Sequence, residues 1–240
     1  MPKKPRIVAI DGPAGSGKST VCKLLAARLG FVLLDTGALY RAVALAAQRA
    51  GVDWDDEAGV VAVAAGLADR GELTLEVDPA APDSSAGTRV LLADENVSAA
   101  IRQPDISLGA SRVSAFPGVR NALLELQRQL GAPSGPDRGG VVAEGRDIGT
   151  VVFPAASVKF FLTASLEVRA RRRQAELEQK GVEVDFDQTL KDVADRDERD
   201  RTRAVAPLRQ ADDAQVVDST GKAIDEVVAA MQRVVEDVLG

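Results

Sequence analysis

Short apolar runs alternate along the chain with longer segments in which apolar residues recur every three or four positions. The runs predict buried strands at 6–11, 31–34, 141–143, 158–162 and 215–218. The other segments predict helices at 20–29, 37–48, 57–67, 104–114, 117–130 and 222–239, with two more within 165–203. Strands that alternate with helices in this way are typical of an α/β fold, in which helices flank a parallel sheet.

One region departs from this pattern. Residues 73–77 and 88–92 alternate apolar and polar side chains, and a turn-forming cluster at 79–87 separates them. This combination predicts an antiparallel β-hairpin that lies outside the parallel sheet.

A glycine-rich motif connects the first strand to the first helix. Residues 12–19 read G-P-A-G-S-G-K-S, a complete G-x-x-x-x-G-K-S pattern in its strand–turn–helix context. The glycines let backbone N–H groups point inward, and the helix N-terminus adds a positive dipole. Lys18 would reach the β- and γ-phosphates of a nucleoside triphosphate, and Ser19 would hold Mg²⁺. The predicted triphosphate site comprises Gly12, Pro13, Ala14, Gly15, Ser16, Gly17, Lys18, Ser19 and Thr20.

The composition excludes several classes of chemistry. The 240 residues contain no histidine, which removes histidine general bases, histidine triads and imidazole ligation of metals. The one cysteine, Cys22, allows neither an intramolecular disulfide nor a thiolate metal cluster, and we expect it to be a buried thiol. A formal charge of −6 argues against a nucleic-acid-binding surface.

The pattern of apolar residues also bears on location. No run is long enough to span a membrane, and residues 1–5 lead into the first strand without an apolar signal region. We therefore expect no membrane partner and a cytoplasmic protein. The length suits one α/β domain with a small inserted or mobile subdomain.

Polar clusters follow two predicted strands at their carboxyl ends, where open α/β sheets bind ligands. Residues 35–41 read D-T-G-A-L-Y-R and place Tyr40 and Arg41 one helical turn beyond Gly37. The same residues also fit a capped helix start, with Asp35 or Thr36 as the N-cap.

The second cluster is Glu144-Gly145-Arg146-Asp147, directly after the strand at 141–143. A carboxylate at such a strand end commonly contacts the Mg²⁺ of a nucleotide, either directly or through another ligand. Arg146 could point into the same crevice. A tight turn with a local ion pair is the alternative for these residues.

A third cluster is helical. Positions 196, 199, 200 and 203 follow the i, i+3, i+4, i+7 rule, so three arginines and one aspartate share one helix face. Arg169, Arg172 and Arg173 form a similar face upstream. Two arginine-lined helices favour a lid that closes over phosphates, although a solvated, salt-bridged helix pair would show the same pattern.

These residues suit an acceptor that is itself a phosphate. Its second ionisation lies near pH 6, so the attacking oxygen is mostly deprotonated at neutral pH and needs no catalytic base. The protein must instead hold two phosphates in line and neutralise their charge, which Lys18, Mg²⁺ and the arginines would do.

Together these motifs resemble the bacterial cytidylate kinase family of the nucleoside monophosphate kinases. The matching segments are 10–19, 35–41, 116–117, 119–120, 144–154 and 196–208, which reach from the first strand towards the last helix. The resemblance implies direct in-line transfer of a phosphoryl group from ATP to CMP and dCMP, with Mg²⁺, to give CDP and dCDP. We also expect a monomer whose partners are these nucleotides and not nucleic acid.

The resemblance implies a role for each matching position. Catalytic roles fall to Lys18, Arg146, Arg196, Arg199 and Arg203. The monophosphate site would comprise Thr36, Tyr40, Arg41, Ser111, Arg120, Arg146, Asp147, Asp200 and Arg203, in which Ser111 and Asp147 or Asp200 read the cytosine edge and the ribose hydroxyls. Ser19 and Asp35 are the candidate metal ligands, and Glu144 stands where some relatives have aspartate.

The resemblance also divides the chain. It implies a P-loop core formed by 1–56, 121–164 and 204–240, and a lid at 165–203. The inserted segment 57–120, hairpin included, would be the monophosphate-binding domain.

Two other functions remain open from the residues alone. One is another small-molecule P-loop kinase, acting on UMP, AMP or a metabolite hydroxyl, for which Asp35 could be the base. The other is a P-loop switch or a nucleic-acid-coupled ATPase, which would need an N-K-x-D-type motif or a basic surface; the sequence shows neither.

Overall fold

The computed structural model describes residues 5–77, 88–132 and 139–240. The turn cluster predicted at 79–87 lies outside these ranges, as does most of the loop at 131–140. The strands are β1 (Ile7–Asp11), β2 (Val32–Asp35), β3 (Leu73–Val77), β4 (Thr88–Leu92), β5 (Glu95–Asn96), β6 (Val141–Gly145), β7 (Val158–Thr163) and β8 (Gln215–Asp218). The helices are α1 (Lys18–Leu29), α2 (Thr36–Arg49), α3 (Glu57–Asp69), α4 (Pro104–Val113), α5 (Pro117–Gly131), α6 (Leu166–Gln179), α7 (Phe186–Thr202) and α8 (Ile224–Leu239).

A five-stranded parallel sheet in the order β2-β6-β1-β7-β8 forms the centre of the described structure. Side chains alternate across each strand, so Val8 and Ile10 of β1 pack against α1 and α8, while Ile7 and Ala9 face the opposite side. Helices cover both faces of the sheet and leave the carboxyl ends of its strands uncovered. The fold predicted from the sequence, a parallel sheet flanked by helices, is confirmed.

A second apolar cluster lies beside this sheet. Helices α2, α3, α4 and α5 contribute to it, together with an antiparallel sheet in the order β3-β4-β5. The register pairs Leu73 with Leu92 and Leu75 with Val90, so the predicted hairpin pairing of β3 and β4 is present. The short strand β5 was not predicted. Because α2 and part of α5 pack into this cluster, its residues extend beyond the segment 57–120, and the domain boundaries stay a prediction.

Helices α6 and α7 pack against each other and carry few apolar residues on their outer faces. Ser165 caps α6 by accepting a hydrogen bond from the Val168 N–H, and Asp185 caps α7 in the same way through the Gln188 N–H. Helix α7 ends at Thr202, so Arg203 is its C-cap residue. Across the described ranges, every helix is too short or too polar to cross a bilayer.

Candidate active site

The glycine-rich motif forms a tight loop between β1 and α1. Gly12 has a φ of +154°, and a Cβ there would lie 2.0 Å from the Leu162 carbonyl oxygen, so only glycine fits beside β7. Gly15 has a φ of +72° and lies against the backbone of Arg169. The loop therefore packs against β7 and α6. Helix α1 begins at Lys18, with its N-terminus at the carboxyl ends of the strands.

Lys18 is buried within this loop. Its Nζ donates to the carbonyl oxygens of Gly12 and Pro13, at 2.7 Å each, and to the Ser16 hydroxyl at 3.3 Å. Burial lowers the pKa of Lys18, and the positive charge of Arg146 lowers it further. A triphosphate bound against the loop would bring negative charge to this ammonium group and favour its charged form.

Hydroxyl and carboxylate oxygens meet beside the loop. The Ser19 hydroxyl donates to Glu144 Oε2 at 3.0 Å, and the Thr36 hydroxyl donates to the Glu144 carbonyl at 2.7 Å. Asp35 is the register partner of Glu144 on the neighbouring strand, but its side chain caps α2 and binds Arg41 at 2.6 Å. Glu144 is thus the carboxylate in contact with Ser19, and Asp35 as a metal ligand stays a prediction.

This donor set fits Mg²⁺, which prefers oxygen ligands. Within the described ranges, no group of three or more histidine, cysteine, aspartate or glutamate side chains could form a metal cage. Mg²⁺ rarely needs one, because it commonly binds through one or two carboxylates together with substrate phosphates and water. Burial raises the pKa of Glu144, and the nearby Asp35 charge raises it further, so a cation would be favourable here.

A chain of alternating charges runs from α5 to α7. Arg120 binds Asp147 at 2.6 Å, and Arg146 binds Asp200 at 2.9 Å. Arg203 lies between the two carboxylates, at 3.6 Å from Asp147 and 3.7 Å from Asp200. Burial alone would raise the pKa of Asp200, but the charges of Arg146, Arg196 and Arg203 and the hydrogen bond from Arg146 together hold this pKa below its usual value. Both aspartates therefore lie among arginine side chains inside the site.

Several arginine nitrogens at the site have unused donors. Among the described residues, the buried atoms without a hydrogen-bond partner include Arg41 Nε, Arg120 Nε, Arg196 Nε and Arg203 Nη2. Buried donors are normally satisfied, so unpaired ones indicate a missing acceptor. Guanidinium groups match phosphate geometry, and this excess of donors is what an anionic ligand would use.

All of these groups line one cavity of about 1150 Å³. Of the predicted site residues, its walls include Ala14, Gly15, Ser16, Gly17, Lys18, Ser19, Thr20, Asp35, Thr36, Tyr40, Arg41, Ser111, Arg120, Arg146, Asp147, Arg196, Arg199, Asp200 and Arg203. Gly12 and Pro13 do not line it, because Gly12 is pressed against β7 and both residues turn their carbonyls to Lys18. The two residues support the loop from behind.

Sequence reasoning assigned no role to Asp11, the last residue of β1. Its carboxylate accepts hydrogen bonds from the N–H groups of Ile148 and Gly149, at 2.8 Å each. These two amides open a π-helical turn (Ile148–Val152) directly after Arg146 and Asp147. Burial has the largest effect on the pKa of Asp11 and raises it to about 6, although these two hydrogen bonds lower it. An acidic residue immediately before the first glycine is the signal that could have identified it.

We expect Asp11→Asn to lower the free energy of unfolding by about 1–3 kcal/mol, because one buried N–H loses its acceptor. The π-helical turn should also become looser, and the binding of a ligand that contacts Arg146 and Asp147 should weaken as a result. Urea denaturation measures the first effect. Asp53→Asn is the matched control, since exposed Asp53 also accepts from a backbone N–H, that of Asp55. Equal stability of the two variants would contradict the role given to Asp11.

A phosphate-binding loop at the carboxyl edge of a parallel sheet, facing a cavity rich in arginine, defines a P-loop phosphotransferase. The comparisons with known proteins narrow this class. A family model described as Cytidylate kinase matches residues 8–237. The chain therefore belongs to the cytidylate kinase family, as the motifs of its sequence predicted.

Individual relatives match over nearly the whole chain. A cytidylate kinase of Geobacter sp. (strain M21) is 51% identical over 233 residues, which cover 97% of this chain and 94% of the relative. A cytidylate kinase of Aeromonas salmonicida (strain A449) is 47% identical over 240 residues, covering 100% and 98%. Among solved structures, TT1252 from Thermus thermophilus aligns over 99% of this chain and 100% of its own, with a TM-score of 0.45 and 21% identity.

Proposed function

We propose that this enzyme phosphorylates CMP and dCMP to CDP and dCDP, with ATP as the phosphoryl donor. Membership of the cytidylate kinase family supports this reaction. The observation that carries it is that one continuous cavity is lined both by the phosphate loop and by the aspartate–arginine chain. Pockets for one small ligand are commonly 300–1,000 Å³, so about 1150 Å³ gives room for two nucleotides.

ATP would bind at the loop end. Backbone N–H groups from Ala14 to Thr20 and the N-terminus of α1 would surround its phosphates, and Lys18 would turn from its own loop to them. Ser19 and Glu144 would hold Mg²⁺, with Asp35 beside them, and the bound ion would neutralise part of the β- and γ-phosphate charge.

The acceptor would bind at the other end. Its phosphate would take the unused donors of Arg41 and Arg203, while Tyr40, Thr36 and Arg120 shape the surrounding wall. The carboxylate oxygens of Asp147 and Asp200 accept hydrogen bonds, so they favour the amino group of cytosine over the carbonyl oxygen that uracil has at the same position. Ser111, on the α4 side of the cavity, offers a hydroxyl that can donate or accept.

Phosphoryl transfer would then depend on charge and alignment. The acceptor phosphate is largely ionised at neutral pH, so the absence of histidine from the sequence is no obstacle. Lys18, Arg146, Arg196, Arg199 and Arg203 would stabilise the charge on the transferring group, since all five line the cavity that the two nucleotides would share. In-line transfer is the geometry expected when two phosphates meet in one cleft.

One chain supplies every residue in this mechanism. We therefore keep a monomer as our prediction, because no second copy is needed to complete the cavity. A cytoplasmic location is likewise part of the proposal and follows from the substrates, which are intracellular nucleotides.

An ADP-release assay with Mg-ATP tests the proposed acceptor. The panel contains CMP, dCMP, UMP, AMP, GMP and a reaction without acceptor. We expect CMP and dCMP to be used far better than the others, and Arg41→Ala to raise KM for CMP more than KM for ATP. Equal ADP release with every acceptor, or without one, would contradict the proposed function.

A further inference from the structure

Two arginines of α6 donate hydrogen bonds to carbonyl oxygens of the phosphate loop. Arg169 Nη1 donates to the Ala14 carbonyl at 3.1 Å, and Arg172 Nη1 donates to the Ser16 carbonyl at 3.1 Å. With these carbonyls bound on the outside, the N–H groups of the same loop are left to face the cavity. The orientation of the loop therefore depends on a helix that belongs to the predicted lid.

Arg169 is the more deeply placed of the two. It is 7% exposed, and its Nε also donates to the Ala164 carbonyl at 3.0 Å. Gly15 lies directly against it, since a Cβ on Gly15 would come within 2.9 Å of the Arg169 carbonyl oxygen. The first turn of α6 and the phosphate loop are thus packed backbone to backbone, with the guanidinium group of Arg169 closing the contact.

Asp197 of α7 is the partner of Arg169. The two side chains are 8% and 9% exposed, and Asp197 Oδ2 accepts from Arg169 Nη1 at 2.5 Å. The other carboxylate oxygen, Asp197 Oδ1, is buried and has no hydrogen-bond partner among the described residues. A buried pair of this kind rarely adds net stability over apolar packing, which suggests that it serves to fix a geometry.

The position of Asp197 on α7 shows which two parts of the molecule the pair holds together. Asp197 faces α6, whereas its neighbours Arg196, Arg199 and Asp200 line the cavity. One guanidinium group therefore contacts both the phosphate loop, at Ala14, and the helix that carries the cavity-lining arginines. A shift of α7 relative to the loop would have to break this double contact.

We infer that Arg169 and Asp197 are positioning residues: together they fix the cavity-facing arginines of α7 relative to the phosphate loop. The inference rests on the proposed function for the reaction it serves. The pair touches neither proposed substrate position directly, and it acts through the Ala14 carbonyl and the backbone of α7. Misplacing a catalytic group by about 1 Å can cost about 10²-fold in rate, so a pair with no direct contact can still have a large effect.

Two variants test the pair. Asp197→Asn keeps the shape and removes the charge. Arg169→Lys keeps the charge but replaces the planar guanidinium fork, which donates from both Nε and Nη1, with a single ammonium nitrogen. We expect kcat to fall about 10–100-fold in each, and the affinity for a fluorescent ATP analogue to fall several-fold. The double variant should be little worse than either single variant, because both disrupt the same contact.

Acceptor binding separates positioning from general damage. The lone Trp54 packs on Gly109 of α4, next to cavity-lining Ala110 and Ser111, so its fluorescence should report CMP binding. We expect the Kd for CMP measured in this way to match the wild type in both variants. Glu167→Gln is the control, since Glu167 on α6 is exposed, pairs with exposed Arg171 and should change nothing.

The inference is overturned if either folded variant keeps kcat within twofold of the wild type, or if Tm falls while ATP affinity and kcat stay unchanged. An equal loss of CMP and ATP affinity would also overturn it, because that result means general distortion. If the wild type does not phosphorylate CMP, the proposed function fails, but the binding of the ATP analogue still tests the pair.

Discussion

Replacing Arg196 with alanine is expected to lower kcat by about 10³-fold without reducing the stability of the protein. In P-loop GTPases, an arginine on the transferring phosphoryl group is worth about 10³–10⁵ in rate. Arg196 lines the cavity, and its buried Nε has no hydrogen-bond partner among the described residues. Its charge is therefore available for a phosphate.

The expectation that this variant keeps its stability follows from the pKa of Arg196. Burial, aided by the positive charge of Arg146, lowers this pKa to about 10, well under the usual value for arginine. Because the unfolded chain holds the proton more tightly, the charged side chain destabilises the folded state, fully so below pH 10. At pH 7, replacing Arg196 with alanine therefore removes this destabilisation of the folded state. Residues that trade stability for activity in this way are typical of active sites.

Steady-state kinetics and urea denaturation at pH 7 measure the two effects in the same preparation. Arg201→Ala is the matched control, because Arg201 lies on the same helix with its side chain 61% exposed and pairs with Glu198 at the surface. It should leave kcat unchanged. An Arg196→Ala enzyme that keeps kcat within tenfold, or that loses stability and keeps its activity, would show that Arg196 is structural.

Asp147→Ala should have the largest effect on stability, lowering the free energy of unfolding by about 3–5 kcal/mol. Asp147 lies between Arg120 and Arg203, whose side chains are both 5% exposed. Removing the carboxylate leaves two buried cations beside each other without the anion between them. The same change removes a proposed contact to the cytosine edge, so the use of CMP should be lost as well.

Denaturation with urea measures the first of these losses. Asp225→Ala provides the comparison, since Asp225 also binds an arginine, Arg28, but its side chain is 82% exposed. Exposed pairs contribute about 0.2–1 kcal/mol, so this control should stay within 1 kcal/mol of the wild type. If both variants lose similar stability, the chain of buried charges does not hold the site together.

The features predicted correctly from the sequence are those determined by residues that lie close together in the chain. The glycine-rich motif sits between a strand and a helix, and Pro104 and Pro117 both occupy first helical positions, where proline is favoured. Gly30 ends α1 with a φ of 64°, a conformation that glycine adopts readily. Such signals need no knowledge of the rest of the molecule.

The features that were missed depend on residues far apart in the chain. The face of α7 was predicted from helical spacing, but nothing in the spacing shows that Asp197 would pair with Arg169, 28 positions away. The contact of Asp11 with the π-helical turn spans 137 positions. The strand β5 has two residues and carries no periodicity to detect. Tertiary packing decides each of these.

Phosphorus NMR of the enzyme with Mg-ATP and CMP tests the central claim most directly, because it follows the phosphoryl group itself. Direct transfer predicts that the signals of ADP and CDP grow together in equal amounts and that inorganic phosphate does not accumulate. Growth of inorganic phosphate with ADP, while CMP stays unchanged, would mean that water is the acceptor and would contradict the proposed function.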